Sequence, residues 1–217
     1  MTGFLFETRA RMRRVPGFGM VFDAVQGQNY RRWVRAGSPE GPPPQRYKAD
    51  TLRSYAVRFG LRVLVETGTA WGDSVCALQG DFDQVYTIEL GERLHAHAVR
   101  RFRRYPHVHV LRGDSGQMLG EVLRGIDQPC LFWLDGHYGG AYTARGIDDS
   151  PIARELTHVF AHPCAREHVV LIDDARFFTG VACYPTTDEL RARFVAAGLD
   201  CFDVEHDVIR AFRSRGR

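Results

Sequence analysis

Residues Val63-Leu64-Val65-Glu66-Thr67-Gly68-Thr69-Ala70-Trp71-Gly72-Asp73-Ser74 decide how this chain folds. An aliphatic run ends in an acid, passes through a turn with two glycines and opens into a helix. Such a junction turns the backbone sharply at the carboxyl end of a strand, where open α/β sheets bind nucleotides.

The same alternation extends in both directions from this junction. Asp50 to Phe59 reads as a helix, Arg62 to Glu66 as the first strand and Asp73 to Leu78 as the helix after the turn. Strands follow over Gln84 to Glu89, Val108 to Arg112, Cys130 to Asp135 and His168 to Asp173. Between and after them helices are expected over Arg93 to Tyr105, Gln117 to Leu123, Ile152 to Ala161 and Thr187 to Ala197. Leu199 to Val204 and Val208 to Arg213, joined across Glu205-His206-Asp207, read as a terminal hairpin. The expectation is a Rossmann-like, mostly parallel sheet of seven strands with helices on both faces and an antiparallel end.

Ser38-Pro39-Glu40-Gly41-Pro42-Pro43-Pro44 cannot be helix or central strand and divides the chain. Residues 1–45 read as a basic arm and linker, and residues 46–217 as the folded domain. Arg9, Arg11, Arg13, Arg14, Arg31, Arg32 and Arg35 give the arm its charge. It can meet an anionic partner, a membrane surface or a second subunit in a homodimer, or pack Phe18, Met20, Phe22 and Trp33 back on the domain.

With 217 residues, 44% of them hydrophobic, the chain can bury one domain-sized core. No apolar run approaches the roughly 20 residues that span a bilayer. Phe4-Leu5-Phe6 is too short for a signal-peptide core, so the expected location is the cytoplasm. Cys76, Cys130, Cys164, Cys183 and Cys201 form no CxxC pair and read as small buried apolar residues rather than a zinc or disulfide framework. A formal charge of +3 is too small to call for nucleic acid, and there is no Asn-Pro-Pro-Tyr motif for a flipped base. Lys48 is the only lysine; it is either a chance survivor or a compact ammonium kept for a site.

The acids carry the chemistry. Glu66, Glu89, Asp114, Asp135 and the pair Asp173-Asp174 each fall at or just past a strand end, so a parallel sheet gathers them along one edge. Helix capping explains one or two of them but not six. Glu89, 23 residues after Glu66, suits the ribose hydroxyls of a bound nucleotide. Asp114 and Ser115 suit an adenine amino group. Asp135, Asp173 and Asp174 offer hard oxygen ligands for Mg²⁺.

The set Glu66-Thr-Gly-Thr-Ala-Trp-Gly72, Tyr86-Thr-Ile-Glu89, Gly113-Asp-Ser115, Leu134-Asp-Gly-His-Tyr138 and Leu171-Ile-Asp-Asp-Ala-Arg176 resembles the class I S-adenosylmethionine-dependent methyltransferases. More narrowly it is similar to the macrocin-type sugar O-methyltransferases of antibiotic and polysaccharide pathways, over roughly positions 42 to 213. The resemblance implies that Glu66, Gly68, Thr69 and Gly72 cradle the methionine part of S-adenosylmethionine, Glu89 its ribose, and Asp114 with Ser115 its adenine. It also implies that Asp135, Asp173 and Asp174 hold Mg²⁺.

The expected activity is methylation of a hydroxyl on a sugar, glycan or similar small diol. His137 is the expected base, with Asp135 as the substitute, unless His137 only bonds the loop backbone. Tyr138 and Tyr142, in a glycine-bounded loop, can stack on a sugar or belong to a plain surface loop. Arg176 can bind an anionic substrate group or neutralise the acidic edge. Two other readings compete. A nicotinamide oxidoreductase shares the strand, turn and helix, but Gly68 and Gly72 make no GxGxxG and hydride transfer leaves the three aspartates unexplained. The other is a non-catalytic nucleotide-binding or interaction protein of the same fold.

Overall fold

The computed structural model describes residues 18–136 and 150–214. In chain order the elements are α1 (Phe18–Arg35), α2 (Gln45–Phe59), β1 (Val63–Thr67), α3 (Asp73–Leu78), β2 (Gln84–Glu89), α4 (Glu92–Phe102) and β3 (Val108–Arg112). They continue with α5 (Ser115–Leu123), β4 (Cys130–Leu134), α6 (Ile152–Ala161), β5 (Val169–Ile172), α7 (Thr187–Ala196), β6 (Cys201–Glu205) and β7 (Val208–Phe212).

The seven strands form one sheet in the order β3-β2-β1-β4-β5-β7-β6. β3, β2, β1, β4 and β5 run parallel, and β7 lies antiparallel between β5 and β6. β1, β4 and β5 are buried at every position because helices cover both sheet faces, which is why they read as continuous apolar runs. Val65, Phe132, Val170 and Ile172 pack with Leu119, Leu156 and Phe194 on one face. Leu64, Leu131, Trp133 and Leu171 pack with Leu52, Val75 and Ala98 on the other, so successive strand residues feed opposite layers.

The strand order reverses between β1 and β4, and the register levels the strand ends. Thr67 pairs with both Ile88 and Leu134, Leu134 with Ile172, and Glu89 with Arg112. Ladder-like bonds continue past these ends, from Gly68 N–H to Ile88 O at 2.9 Å, Asp135 N–H to Thr67 O at 3.1 Å and Asp173 N–H to Leu134 O at 3.1 Å. The residues that follow each strand are thereby held along one edge.

The terminal hairpin turns at His206 and Asp207, both in the left-handed region with φ of 48° and 63°, as the twist of a two-residue hairpin turn demands. α7 starts in a capping box between Thr186 and Glu189. Two helices depart furthest from the sequence reading. α2 starts at Gln45 instead of Asp50, because Pro44 has the extended backbone of an N-cap and the chain is free to coil immediately after it. The arm carries α1, a helix whose apolar residues are interrupted by Gln26-Gly27-Gln28-Asn29, which breaks the periodicity that would announce it. Among the described residues, no helix is long and apolar enough to cross a membrane.

Candidate functional site

Gly68 makes the first turn of the site. Its φ is +81°, and a Cβ there would lie 2.1 Å from the carbonyl oxygen of Asp135, so only glycine lets the β1 and β4 ends approach this closely. Gly72, with φ of +72°, starts α3, and a Cβ on it would meet the Phe102 ring at 2.7 Å. Both glycines are required by the protein's own packing before any ligand is considered.

The acids of this edge are neutralised in different ways. Glu66, 2% exposed, accepts a hydrogen bond from Thr87 Oγ1 at 2.5 Å, and Thr87 Oγ1 is 2.6 Å from Thr69 Oγ1. Burial pushes its pKa up to about 8 against the pull of the Thr87 and Ser74 hydroxyls, so it is largely protonated at neutral pH. Glu89 accepts the Ala70 N–H and the Gly91 N–H, each at 2.7 Å, and so ties the glycine turn to the end of β2. Burial raises its pKa in spite of these two donors. Each carboxylate oxygen has acceptor capacity beyond the one bond it makes here.

Asp114 is the N-cap of α5. Oδ1 accepts the Gly116 N–H at 2.8 Å, and the two oxygens take Arg154 of α6 at 3.0 and 3.1 Å. Its carboxylate thus clamps two helices, so a contact with adenine has to be shared with that work. Ser115 is buried beside it and, with Thr67, faces Glu155 of α6. Glu155 is 1% exposed; burial raises its pKa to about 7, against the pull of the Ser115 and Thr67 hydroxyls. A Cβ on Gly136 would come within 3.1 Å of Glu155 Oε1, Ser115 Oγ and Thr67 Oγ1, which places this buried acid directly under the β4 loop. The sequence reading missed Glu155, although an acid three residues after Ile152 and one before Leu156 lies on the apolar stripe of α6.

On the β4 and β5 side, Asp135, Asp173 and Asp174 converge, with one carboxylate oxygen from each lying within 4.8 Å of the others. Burial, then the charge of Asp173, raises the pKa of Asp135 well above the usual carboxylate range, and burial also raises that of Asp173. Glu66 acts on Asp135 only once it loses its own proton. Asp174 has a left-handed backbone, φ 57°, and accepts from Arg176 at 2.8 Å. Arg176 also bonds Asp207 Oδ2 through its side chain and Asp207 Oδ1 through its N–H at 2.8 Å. Arg176 is thus paired with two acids, Asp174 and Asp207. Lys48 Nζ donates to Asp173 Oδ2 and lies 5.9 Å from the Trp133 ring centroid.

The donor set, three carboxylates from two adjacent strand ends, fits a hard divalent cation, and the Lys48 ammonium stands where a cation is wanted. His137, Tyr138 and Tyr142 lie outside the described residues. Among the described residues, no histidine belongs to the group formed by Asp135, Asp173 and Asp174. His97 is 7% exposed, because its spacing from Leu94 puts it on the buried side of α4 against Trp71.

No protein-family model and no curated protein matches the sequence. Solved structures do match the fold. A SAH-bound methyltransferase from Podospora anserina is 14% identical with a TM-score of 0.52, over 99% of this chain and 96% of that one. An O-methyltransferase from Bacillus cereus in complex with SAH is 15% identical with a TM-score of 0.52, over 88% and 91%. A candidate caffeoyl-CoA O-methyltransferase from Staphylococcus aureus is 15% identical with a TM-score of 0.52, over 89% and 98%. The seven-stranded sheet with its terminal antiparallel pair is the Rossmann-like fold that these methyltransferases share. At these identities the likeness concerns the fold.

Proposed function

We propose that this protein is an S-adenosylmethionine-dependent O-methyltransferase that acts, with Mg²⁺, on a hydroxyl of a sugar, glycan or comparable small diol. The observation that carries the reading is the convergence of Asp135, Asp173 and Asp174 at the β4 and β5 ends, beside a glycine turn anchored by Glu89.

S-adenosylmethionine supplies an electrophilic methyl group, and a divalent ion on the three aspartates supplies Lewis-acid polarisation of an acceptor hydroxyl. Glu89 holds the turn in shape and offers its remaining lone pairs to ribose hydroxyls. Glu66, kept largely neutral by burial, can both donate and accept toward the methionine end, where Thr69 and the glycine backbone also face. Ser115 and the α5 N-terminus, held by Asp114, border the adenine end. His137 accepts the acceptor's proton, with Asp135 as the substitute.

An oxidoreductase of the same fold needs no carboxylate triad, and a non-catalytic protein has no use for acids at every one of these positions. The three aspartates favour methyl transfer over both.

Calorimetric titration with S-adenosylmethionine tests the cofactor without knowledge of the acceptor. One saturable site is expected; absence of binding with and without Mg²⁺, or saturable binding of NADH instead, refutes the reading. Transfer of a labelled methyl group to sugars and nucleotide-sugars, with and without chelator, then tests the acceptor class and the metal. His137→Ala is expected to depress kcat far more than KM, and a near-normal kcat removes His137 as the base.

A further inference from the structure

Lys48 is the one lysine of the chain, whose other side-chain cations are all arginine. Its neighbour Tyr47 is fixed on both sides. The Tyr47 ring packs against Trp33 at 4.9 Å and His206 at 5.1 Å between centroids, and its hydroxyl accepts from Arg210 at 2.9 Å. Ala49 and Leu52, 3% and 0% exposed, seat α2 in the core. The helix therefore delivers the Lys48 stem to one place, where its ammonium bonds Asp173, a residue 3% exposed.

Among the described residues, the carboxylates whose charge acts on that ammonium are the three proposed metal ligands. A monovalent ammonium and a divalent ion thus ask for the same oxygens. In a buried site two cations repel strongly at such range, so both cannot be seated at once. An ammonium is well suited to yielding: it is a point charge on a flexible four-carbon stem, whereas a guanidinium would grip a carboxylate through two parallel bonds. Arg176 holds Asp174 and Asp207 on the other side and leaves Asp173 to Lys48.

We infer that Lys48 is a tethered competitor for the divalent cation: its ammonium occupies Asp173 in the metal-free protein and is displaced from it when the metal enters. The inference rests on the metal reading given under Proposed function. It assigns Lys48 two consequences. The acidic cluster keeps a counter-ion when no metal is bound, and the metal affinity is set below what the three aspartates alone would give.

The single lysine makes the test direct. Full-length protein is treated with a small amine-acylating ester, and the rate of Lys48 modification is read by mass spectrometry of its peptide, with the N-terminal amine as internal control. Saturating Mg²⁺ is expected to raise Lys48 acylation about tenfold, the change that follows when a minor released state becomes dominant, with the N-terminus unaffected. In parallel, Mn²⁺ alone, whose free form is counted by electron paramagnetic resonance, is titrated into the wild type, Lys48→Met and Asp173→Asn. Lys48→Met should bind Mn²⁺ about tenfold more tightly than wild type, and Asp173→Asn should lose it.

Equal Mn²⁺ affinity of wild type and Lys48→Met, with unchanged acylation and with loss in Asp173→Asn, overturns the competitor and leaves the metal site standing. Absence of Mn²⁺ binding to wild type and to Lys48→Met overturns both. If Lys48→Met fails to fold by circular dichroism, wild-type acylation decides: a metal-independent rate overturns the inference.

Discussion

Replacing Glu66 by glutamine should flatten the pH dependence of stability in the cofactor-free protein. The carboxyl lies at the buried end of β1 and titrates at about 8 instead of its ordinary 4.5, because burial disfavours its charged form. Between those two values the folded state binds the extra proton and the unfolded state does not. Stability is therefore fully present below the unfolded pKa and is lost as pH rises through the folded one. Between pH 6 and pH 9 this one group removes roughly 2–3 kcal/mol. Glu66→Gln keeps the shape and an oxygen to accept the Thr87 hydroxyl, but it has no proton to lose. Urea unfolding of both proteins at the two pH values isolates the effect, since every other group, including Glu155, cancels between them. The wild type should lose roughly 2–3 kcal/mol more than the variant over this interval. Parallel losses would mean that Glu66 ionises normally in the folded protein and that its surroundings are wetter than the geometry implies.

Other substitutions address the rest of the edge. Glu89→Ala frees the Ala70 and Gly91 N–H groups and should weaken S-adenosylmethionine binding at least about tenfold by calorimetry, at roughly 1.5–3 kcal/mol per bond to a charged acceptor; unchanged affinity would remove it from the site. Gly68→Ala forces a left-handed alanine against the Asp135 carbonyl and should lower stability by roughly 1–3 kcal/mol, read from the denaturation midpoint. A midpoint unchanged would show that β1 and β4 do not approach as described. Asp114→Asn keeps the α5 cap but loses the paired Arg154 contact, a change of about 1 kcal/mol because the arginine is partly exposed.

Much of this edge was legible because its signals are local. The glycine turn follows directly on a strand that is apolar on both faces, and the acids terminate apolar runs whose lengths fix where each strand ends. The hairpin was readable from two apolar runs joined across Glu205-His206-Asp207. What escaped was set by distance along the chain. Asp173 lies 125 residues beyond Lys48, and Arg154 lies 40 beyond Asp114, so no spacing rule reaches either pair. The arm was read without α1 because Gln26-Gly27-Gln28-Asn29 interrupts the apolar residues of that helix. Beyond Tyr30 in its own helix, Trp33 meets Tyr47 and, through the β6–β7 turn, His206.

The several ways in which the acids are satisfied divide the edge into two halves with different sensitivities. On the β1 and β2 side, Glu66 holds its proton and Glu89 is answered by backbone N–H groups, so no side-chain cation is needed and proton concentration is the relevant variable. On the β4 and β5 side, Asp173 and Asp174 are met by Lys48 and Arg176, with Asp135 in the same cluster, so the variable is which cation is present. A crevice that only bound a nucleotide would require the first half alone. The second half, with a displaceable ammonium facing three carboxylates, has the organisation of a place where a cation and an oxygen ligand exchange. Moving the Lys48 charge while leaving Glu66 and Glu89 intact should therefore change metal dependence without changing cofactor affinity. Glu66→Gln should do the reverse, altering the pH response and leaving Mn²⁺ binding as it was.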